Sequence, residues 1–272
     1  MENKIKPFGF KRNLDYFREN FIIMWKSMIE YKANFYNSLF IQLIFALIYF
    51  IYFSIISNEF GYLISWKFQD FLLFFLIYDT IFVLYGTFSW KWEDFKYTLT
   101  SGRLNNYIFR PFNPFFAYSF SKLSGAGFLM IIINLFIFPI LFYFFEYEFS
   151  NIFFSFVVFC LICYGFFMLS SFFKSISFFS FGLSDSLQRL FYEFNEGVRT
   201  YPYSFFQNYS YSFLLFLFPM FFISSLLIPL LLGYEIWDIN FQLLFLVLFN
   251  IVFTLLNLIM WHYGLKKYEA FG

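Results

Sequence analysis

Residues 124–145 read SGAGFLMIIINLFIFPILFYFF, without one charged side chain. A helix crosses the hydrocarbon core of a bilayer with roughly 20 mostly apolar residues. In lipid the backbone must satisfy its own hydrogen bonds, which leaves helices or closed barrels. The run is continuous rather than alternating, so it predicts a helix and not a barrel strand. Apolar runs of this length recur at 35–57, 68–88, 152–173, 209–232 and 241–263, and of these 68–88 alone holds charged residues, Asp70 and Asp79. The fold class that follows is all-α: a polytopic membrane protein with six transmembrane helices. Composition agrees, with 61% hydrophobic and 13% charged residues, about half the ~25% charged share of soluble proteins. The 54 Phe residues accompany plentiful Ile, Asn, Lys and Tyr, the pattern AT-rich codons give, so they do not by themselves mark a binding surface.

Basic residues set the orientation. With the N-terminus inside, Lys4, Lys6, Lys11, Arg12, Arg18, Lys26 and Lys32 precede the first span. Lys91, Lys96, Arg103, Arg110 and Lys122 follow the second; Lys174, Arg189 and Arg199 follow the fourth; Lys266 and Lys267 follow the sixth. That is 17 of the 18 Lys and Arg, with Lys67 outside. Both termini are therefore expected in the cytoplasm. The net charge of +1 gives no sign of a nucleic-acid partner; the bilayer is the expected one. No cleavable signal peptide is apparent in the polar first 34 residues.

Residues 1–34 form the expected cytoplasmic N-terminus and 35–272 the six-span unit. Within 11–32, Leu14, Phe17, Phe21, Met24, Trp25 and Met28 make one helical stripe, which predicts a helix lying in the membrane interface. The loop 89–116 predicts a short helix over 92–99, a stop at Gly102, and a rigid return forced by Pro111 and Pro114. Its length suits a docking element for a cytoplasmic partner. A second amphipathic cytoplasmic helix is expected over 183–199. Cys160 and Cys163 are spaced as C-x-x-C, but with no other Cys and with His262 far away they read as small apolar residues of a helix, not as a metal or redox pair. No metal site and no catalytic constellation emerges. Asn208-Tyr-Ser210 matches a glycosylation sequon, which the orientation puts on the inner side. His262, with Trp261 and Tyr263, reads as part of an interfacial aromatic belt.

Gly102-Arg103-Leu104, then Phe109-Arg110-Pro111 and Asn113-Pro114, resemble the cytoplasmic loop of prokaryotic ABC-2-type permeases. Tyr201-Pro202 before the fifth span, Phe218-Pro219 and Pro229 within it, and the basic Tyr268-Glu269 ending resemble the same family. Asn105, where an acid is expected, and Phe271, where a smaller residue is expected, depart from its pattern. The resemblance implies a permease of the prokaryotic plasma membrane, an exporter whose pathway forms between two six-span subunits, identical or paralogous. Separate cytoplasmic ABC ATPase subunits would bind ATP and Mg. This chain lacks the G-x-x-x-x-G-K-[ST] phosphate loop, carries no cofactor of its own, and is expected not to be an enzyme. The 92–99 helix becomes the coupling helix and 11–32 the elbow helix. Trp92, Glu93, Asp94, Arg103, Arg110 and Pro111 become the residues that couple to the ATPase.

Asp79 falls in the middle of the second run. A carboxylate at bilayer depth costs about 2.5–3.5 kcal/mol on insertion scales, which points to a pathway or a helix interface. No Lys or Arg lies at matching depth in another run, so Asn134, Asn250, Asn257 or a partner subunit are the expected partners. An ion-coupled secondary carrier using Asp79, or a membrane-embedded lipid-modifying enzyme, are the competing functions; the few, scattered acids near the membrane boundary count against the enzyme. Pro219 and Pro229 allow either a kinked fifth span or a re-entrant helix after it.

Overall fold

The computed structural model describes residues 10–30, 32–64, 66–145, 150–200, 218–236 and 238–268. All regular elements among them are helical: α1 (Phe10–Glu30), α2 (Lys32–Ile64), α3 (Phe68–Ser89), a 3₁₀ turn (Trp90–Asp94), α4 (Phe95–Thr100), α5 (Asn105–Ile108), α6 (Pro114–Ser119), α7 (Gly125–Phe145), α8 (Ile152–Ser175), a 3₁₀ turn (Ile176–Phe178), α9 (Phe181–Thr200), a π turn (Ile223–Leu227), α10 (Ile228–Leu232) and α11 (Ile239–Lys267). Among the described residues, four helices are long and apolar enough to cross a membrane: Phe68–Ser89, Gly125–Phe145, Ile152–Phe178 and Ile239–Lys267. Shorter apolar helical stretches run over Leu47–Asn58, inside α2, and Ile223–Leu232. The first expected run lies within α2. The fifth is described from Phe218 onward; its beginning at 209–217, the sequon and the Tyr201-Pro202 pair lie outside the described residues, as does Glu269.

Helix α3 is the centre of the bundle, packed by α2, α7, α8 and the π turn. Phe71, Phe74, Ile77, Tyr78 and Ile81 are all buried in one core with Ile162, Phe166, Phe222 and Leu226. Residues from Phe218 to Leu230 are buried without interruption, so this segment fills the interior rather than facing lipid. The π turn sits just before Pro229, which has no N–H to continue an α ladder. Gly233 then closes α10 at φ 72°, a left-handed conformation that glycine adopts without strain. Ser150 pins that end through Leu231 O at 2.9 Å and Leu230 O at 2.9 Å.

Lipid offers helices no hydrophobic reason to associate, so packing and interhelical hydrogen bonds must hold them. The α8–α11 pair does this with a polar ladder. Asn250 Nδ2 donates to Leu161 O at 3.1 Å, Tyr164 and Thr254 share a bond of 2.8 Å, and Asn257 Nδ2 donates to Met168 O at 2.8 Å. Trp261 Nε1 donates to Ser175 Oγ at 3.0 Å. The rungs recur every three to four residues, the spacing of one helix face.

Helix α1 exists as expected and turns part of its stripe inward, Phe17, Phe21, Met24 and Met28, while Leu14 and Trp25 stay exposed. Phe17 meets Phe88 and Phe120, and Phe21 meets Phe128. Ile22, Ile23, Trp25 and Ile29 stay exposed.

Helix α9 is where expectation and structure part. The sequence places 183–199 among the cytoplasmic pieces. In the structure α9 folds back along α8 and climbs beside α3. Ser184 Oγ donates to Phe173 O at 2.8 Å near its start. Phe191 packs on Phe166 and Tyr85. Tyr78 OH donates to Asn195 O at 2.8 Å, and Arg199 lies over the rings of Tyr49 at 4.1 Å and Phe75 at 5.6 Å. At 1.5 Å per residue, Tyr78 is about 16 Å and Phe75 about 21 Å along α3 from Ser89. The upper half of α9 therefore stands level with the middle of α2 and α3. Periodicity reports one buried face; it carries no information on what that face is buried against.

Candidate functional site

Two constellations carry chemistry: the 89–116 loop and a polar cluster at mid-height of the bundle.

The loop is a folded platform. Trp92 is 1% exposed, at the centre of rings from four elements. It meets Phe95 at 5.0 Å, Tyr118 at 5.2 Å edge-on and Trp261 at 5.9 Å edge-on. Such edge-to-face pairs add to plain burial. Trp92 Nε1 donates to Ser119 Oγ at 3.1 Å, and Tyr118 OH donates to Lys91 O at 2.8 Å. Burial pushes the Tyr118 hydroxyl well above the ordinary phenol value, so it stays a neutral donor. Phe178, just after α8, and Trp261 bring the C-terminal ends of α8 and α11 into the same cluster. Trp261 is thus core, not part of an interfacial belt, while His262 and Tyr263 are exposed.

The short helix expected over 92–99 is present in two pieces, the 3₁₀ turn and α4. Gly102 stops it at φ 70°. The rigid return is instead two further short helices, α5 and α6. Asn113 accepts a bond from Phe116 N at 3.3 Å through Oδ1, and Pro114 takes the first turn of α6. Pro is pre-organised for that position, where its missing N–H costs nothing; read as a breaker, it hid the helix it starts.

The residues singled out in this loop separate into anchors and a rim. Trp92 is interior. Glu93 accepts from Lys174 Nζ at 2.5 Å and from Tyr192 OH at 2.9 Å, tying the loop to α8 and α9. Lys174 is 1% exposed and also donates to Tyr85 OH at 3.1 Å. Asp94 pairs with Lys91 at 3.4 Å, both toward the surface. Arg103 is exposed over Tyr97 at 5.0 Å. Arg110 donates to Tyr16 OH at 3.1 Å and lies over Tyr107 at 5.4 Å, joining the loop to α1. Burial raises the Tyr16 hydroxyl above its ordinary value, with Arg110 acting in the opposite direction. Pro111 is exposed. Two rim aromatics were not singled out as coupling residues: Tyr97, and Phe109, which stood only within the Phe109-Arg110-Pro111 motif and is 83% exposed. The signal for them was available only in hindsight, since an aromatic in a Phe-rich chain does not stand out.

At mid-height, Asn134 Nδ2 donates to Asp79 Oδ2 at 2.9 Å and to Thr80 Oγ1 at 3.2 Å. Of the three asparagines, Asn134 is the one brought to Asp79; Asn250 and Asn257 serve the α8–α11 ladder. The expectation of no cation at matching depth concerned the six runs; α9, which is none of them, brings Arg199 over Tyr49 and Phe75. Tyr49 lies within electrostatic reach of Arg199, Glu196 and Asp79, and Arg199 is paired with Glu196 at 3.6 Å. Among the described residues no group of three His, Cys, Asp or Glu is placed to hold a metal ion.

A family model described as "ABC-2 family transporter protein" matches residues 43–272. No curated protein and no solved structure matches the chain.

Proposed function

Since the chain belongs to the ABC-2 transporter family, we propose that it is the membrane-spanning permease subunit of an ATP-driven exporter, with six spans and both termini in the cytoplasm. Two copies, or this chain and a paralogue, would enclose the pathway in a prokaryotic plasma membrane. Separate ABC ATPase subunits would bind ATP and Mg and seat against the 89–116 platform. The observation that carries the reading is the exposed rim of Tyr97, Arg103 and Phe109, standing on a buried ring cluster that reaches the ends of α8 and α11. Force applied to such a rim passes into two long helices through packed rings rather than being lost in a soft loop. Glu93, through Lys174 and Tyr192, extends the same connection to α8 and α9.

Co-expression with a candidate ATPase tests this. The wild-type pair should co-purify. Tyr97→Asp, Arg103→Glu and Phe109→Asp together should abolish co-purification and permease-stimulated ATP hydrolysis while leaving the thermal midpoint of the permease unchanged. A complex that survives the triple change with its stimulation intact refutes the docking assignment.

A further inference from the structure

The exposed side of α9 is divided lengthwise. Asp185, Arg189, Glu193 and Glu196 occupy one arc, and Leu183, Leu190 and Phe194 the adjacent one. All seven are exposed. At 100° per residue the charged arc is centred roughly 120° from the apolar one. The buried face, with Ser184, Phe191, Asn195 and Val198, takes the remaining side. The apolar arc is covered in part, where Phe194 stacks on Phe218 at 4.2 Å. The charged arc begins at the Lys96–Asp185 bond of 2.6 Å beside the platform. It rises past Glu193 to Glu196 and Arg199, level with Tyr78 and Phe75 of α3. An exposed charge at that height costs about 2.5–3.5 kcal/mol if it faces hydrocarbon. Glu196 stands at that height with Arg199 at 3.6 Å, and Glu193 lies one turn nearer the platform, so lipid contact along this arc is costly. The arc also carries both signs along its length and ends on Arg199, whose guanidinium lies over the Tyr49 ring at 4.1 Å.

We propose that the charged arc of α9 borders a water-filled inlet, open on the platform side and ending at the Arg199–Asp79 level, which receives the polar, zwitterionic end of the transported molecule. The apolar arc faces lipid or protein. The inference rests on the permease reading for its orientation and names the character of what that permease takes.

Cysteine accessibility tests it, because Cys160 and Cys163 are the chain's two cysteines and both are replaced by Ser to give a clean background. Single variants Glu193→Cys, Glu196→Cys, Leu190→Cys and Phe194→Cys are treated in inside-out vesicles with membrane-impermeant thiosulfonates, one cationic and one anionic. Tyr97→Cys and Phe109→Cys serve as references. Glu193→Cys and Glu196→Cys should react within about tenfold of the references, with cationic and anionic reagents alike. Leu190→Cys and Phe194→Cys should react at least tenfold more slowly. Two independent positions on each arc keep the comparison valid if one variant fails to fold. Protection of both Glu positions overturns the inlet, and a disulfide between copies at Glu196→Cys then identifies the arc as a subunit seam. Equal reaction of the two arcs also overturns it. A strong preference for one reagent charge refutes the zwitterionic assignment. If the reference positions react only in right-side-out vesicles, the orientation fails instead, and with it the permease reading.

Discussion

Lys174 is a lysine with a 1% exposed side chain, held by a Glu93 that is 47% exposed. The arrangement makes the two partners unequal. Glu93→Gln leaves an ammonium group buried, with Tyr85 OH at 3.1 Å as its remaining partner. Removing one partner of a fully buried pair costs about 3–5 kcal/mol. Glu93 is half in water, which screens the pair and lets solvent take part of its place, so we expect about 2 kcal/mol. Lys174→Met removes the buried charge instead. Glu93 then keeps Tyr192 at 2.9 Å and turns to solvent, while Tyr85 keeps Ser170, and the cost should be under about 1 kcal/mol, as for other volume-conserving swaps. At about 2–4 °C per kcal/mol for a chain of this size, Glu93→Gln should lower the thermal midpoint in detergent by about 4–8 °C and Lys174→Met by at most about 4 °C. The double variant should resemble Lys174→Met alone, because the orphaned charge is gone. A larger loss from Lys174→Met than from Glu93→Gln, or two effects that simply add, would show that the pair is not the buried charge site described here.

Trp92→Ala empties the middle of the ring cluster; large-to-small changes of this kind cost about 3–5 kcal/mol, and limited trypsin digestion should cut faster at Lys96 and Arg103 while the long helices stay protected. Asn257→Leu removes the α11 side of a rung that joins Met168 O and Ser171 Oγ; intramembrane hydrogen bonds are worth about 0.6–1.7 kcal/mol, so the midpoint should fall by about 1–7 °C, and no change would show that the ladder is not what holds α8 to α11. Gly264→Ala places a methyl 2.5 Å from the Phe178 ring; overpacking costs about 1–3 kcal/mol, and Gly264→Ala with Phe178→Leu should recover most of the lost midpoint, whereas failure of that rescue would argue against the contact.

How much of this was legible in the sequence depends on which physical signal each element carries. The long helices announce themselves, since an uncharged stretch such as 125–145 has few stable alternatives to a membrane helix. Asp79 was legible as a position needing a partner, and the choice among three asparagines was not, because Asn134, Asn250 and Asn257 look alike until the helix faces are known. Asn250 and Asn257 sit seven residues apart on one face of α11, with Trp261 one turn further on. A polar ladder is readable in that spacing once α8 is known to lie opposite. Helix α9 is the instructive failure. Its charges and flanking cations are those of a surface helix, and local rules assign it to the surface. What lifts it beside α3 is a set of contacts far apart in the chain, Phe191 with Tyr85 and Tyr78 with Asn195. The same charges that made it look cytoplasmic become, at that height, the reason to expect water along the exposed face of α9. A charge pattern thus fixes what a helix face requires around it, while the tertiary contacts fix where that requirement must be met. The inlet follows from holding both statements together.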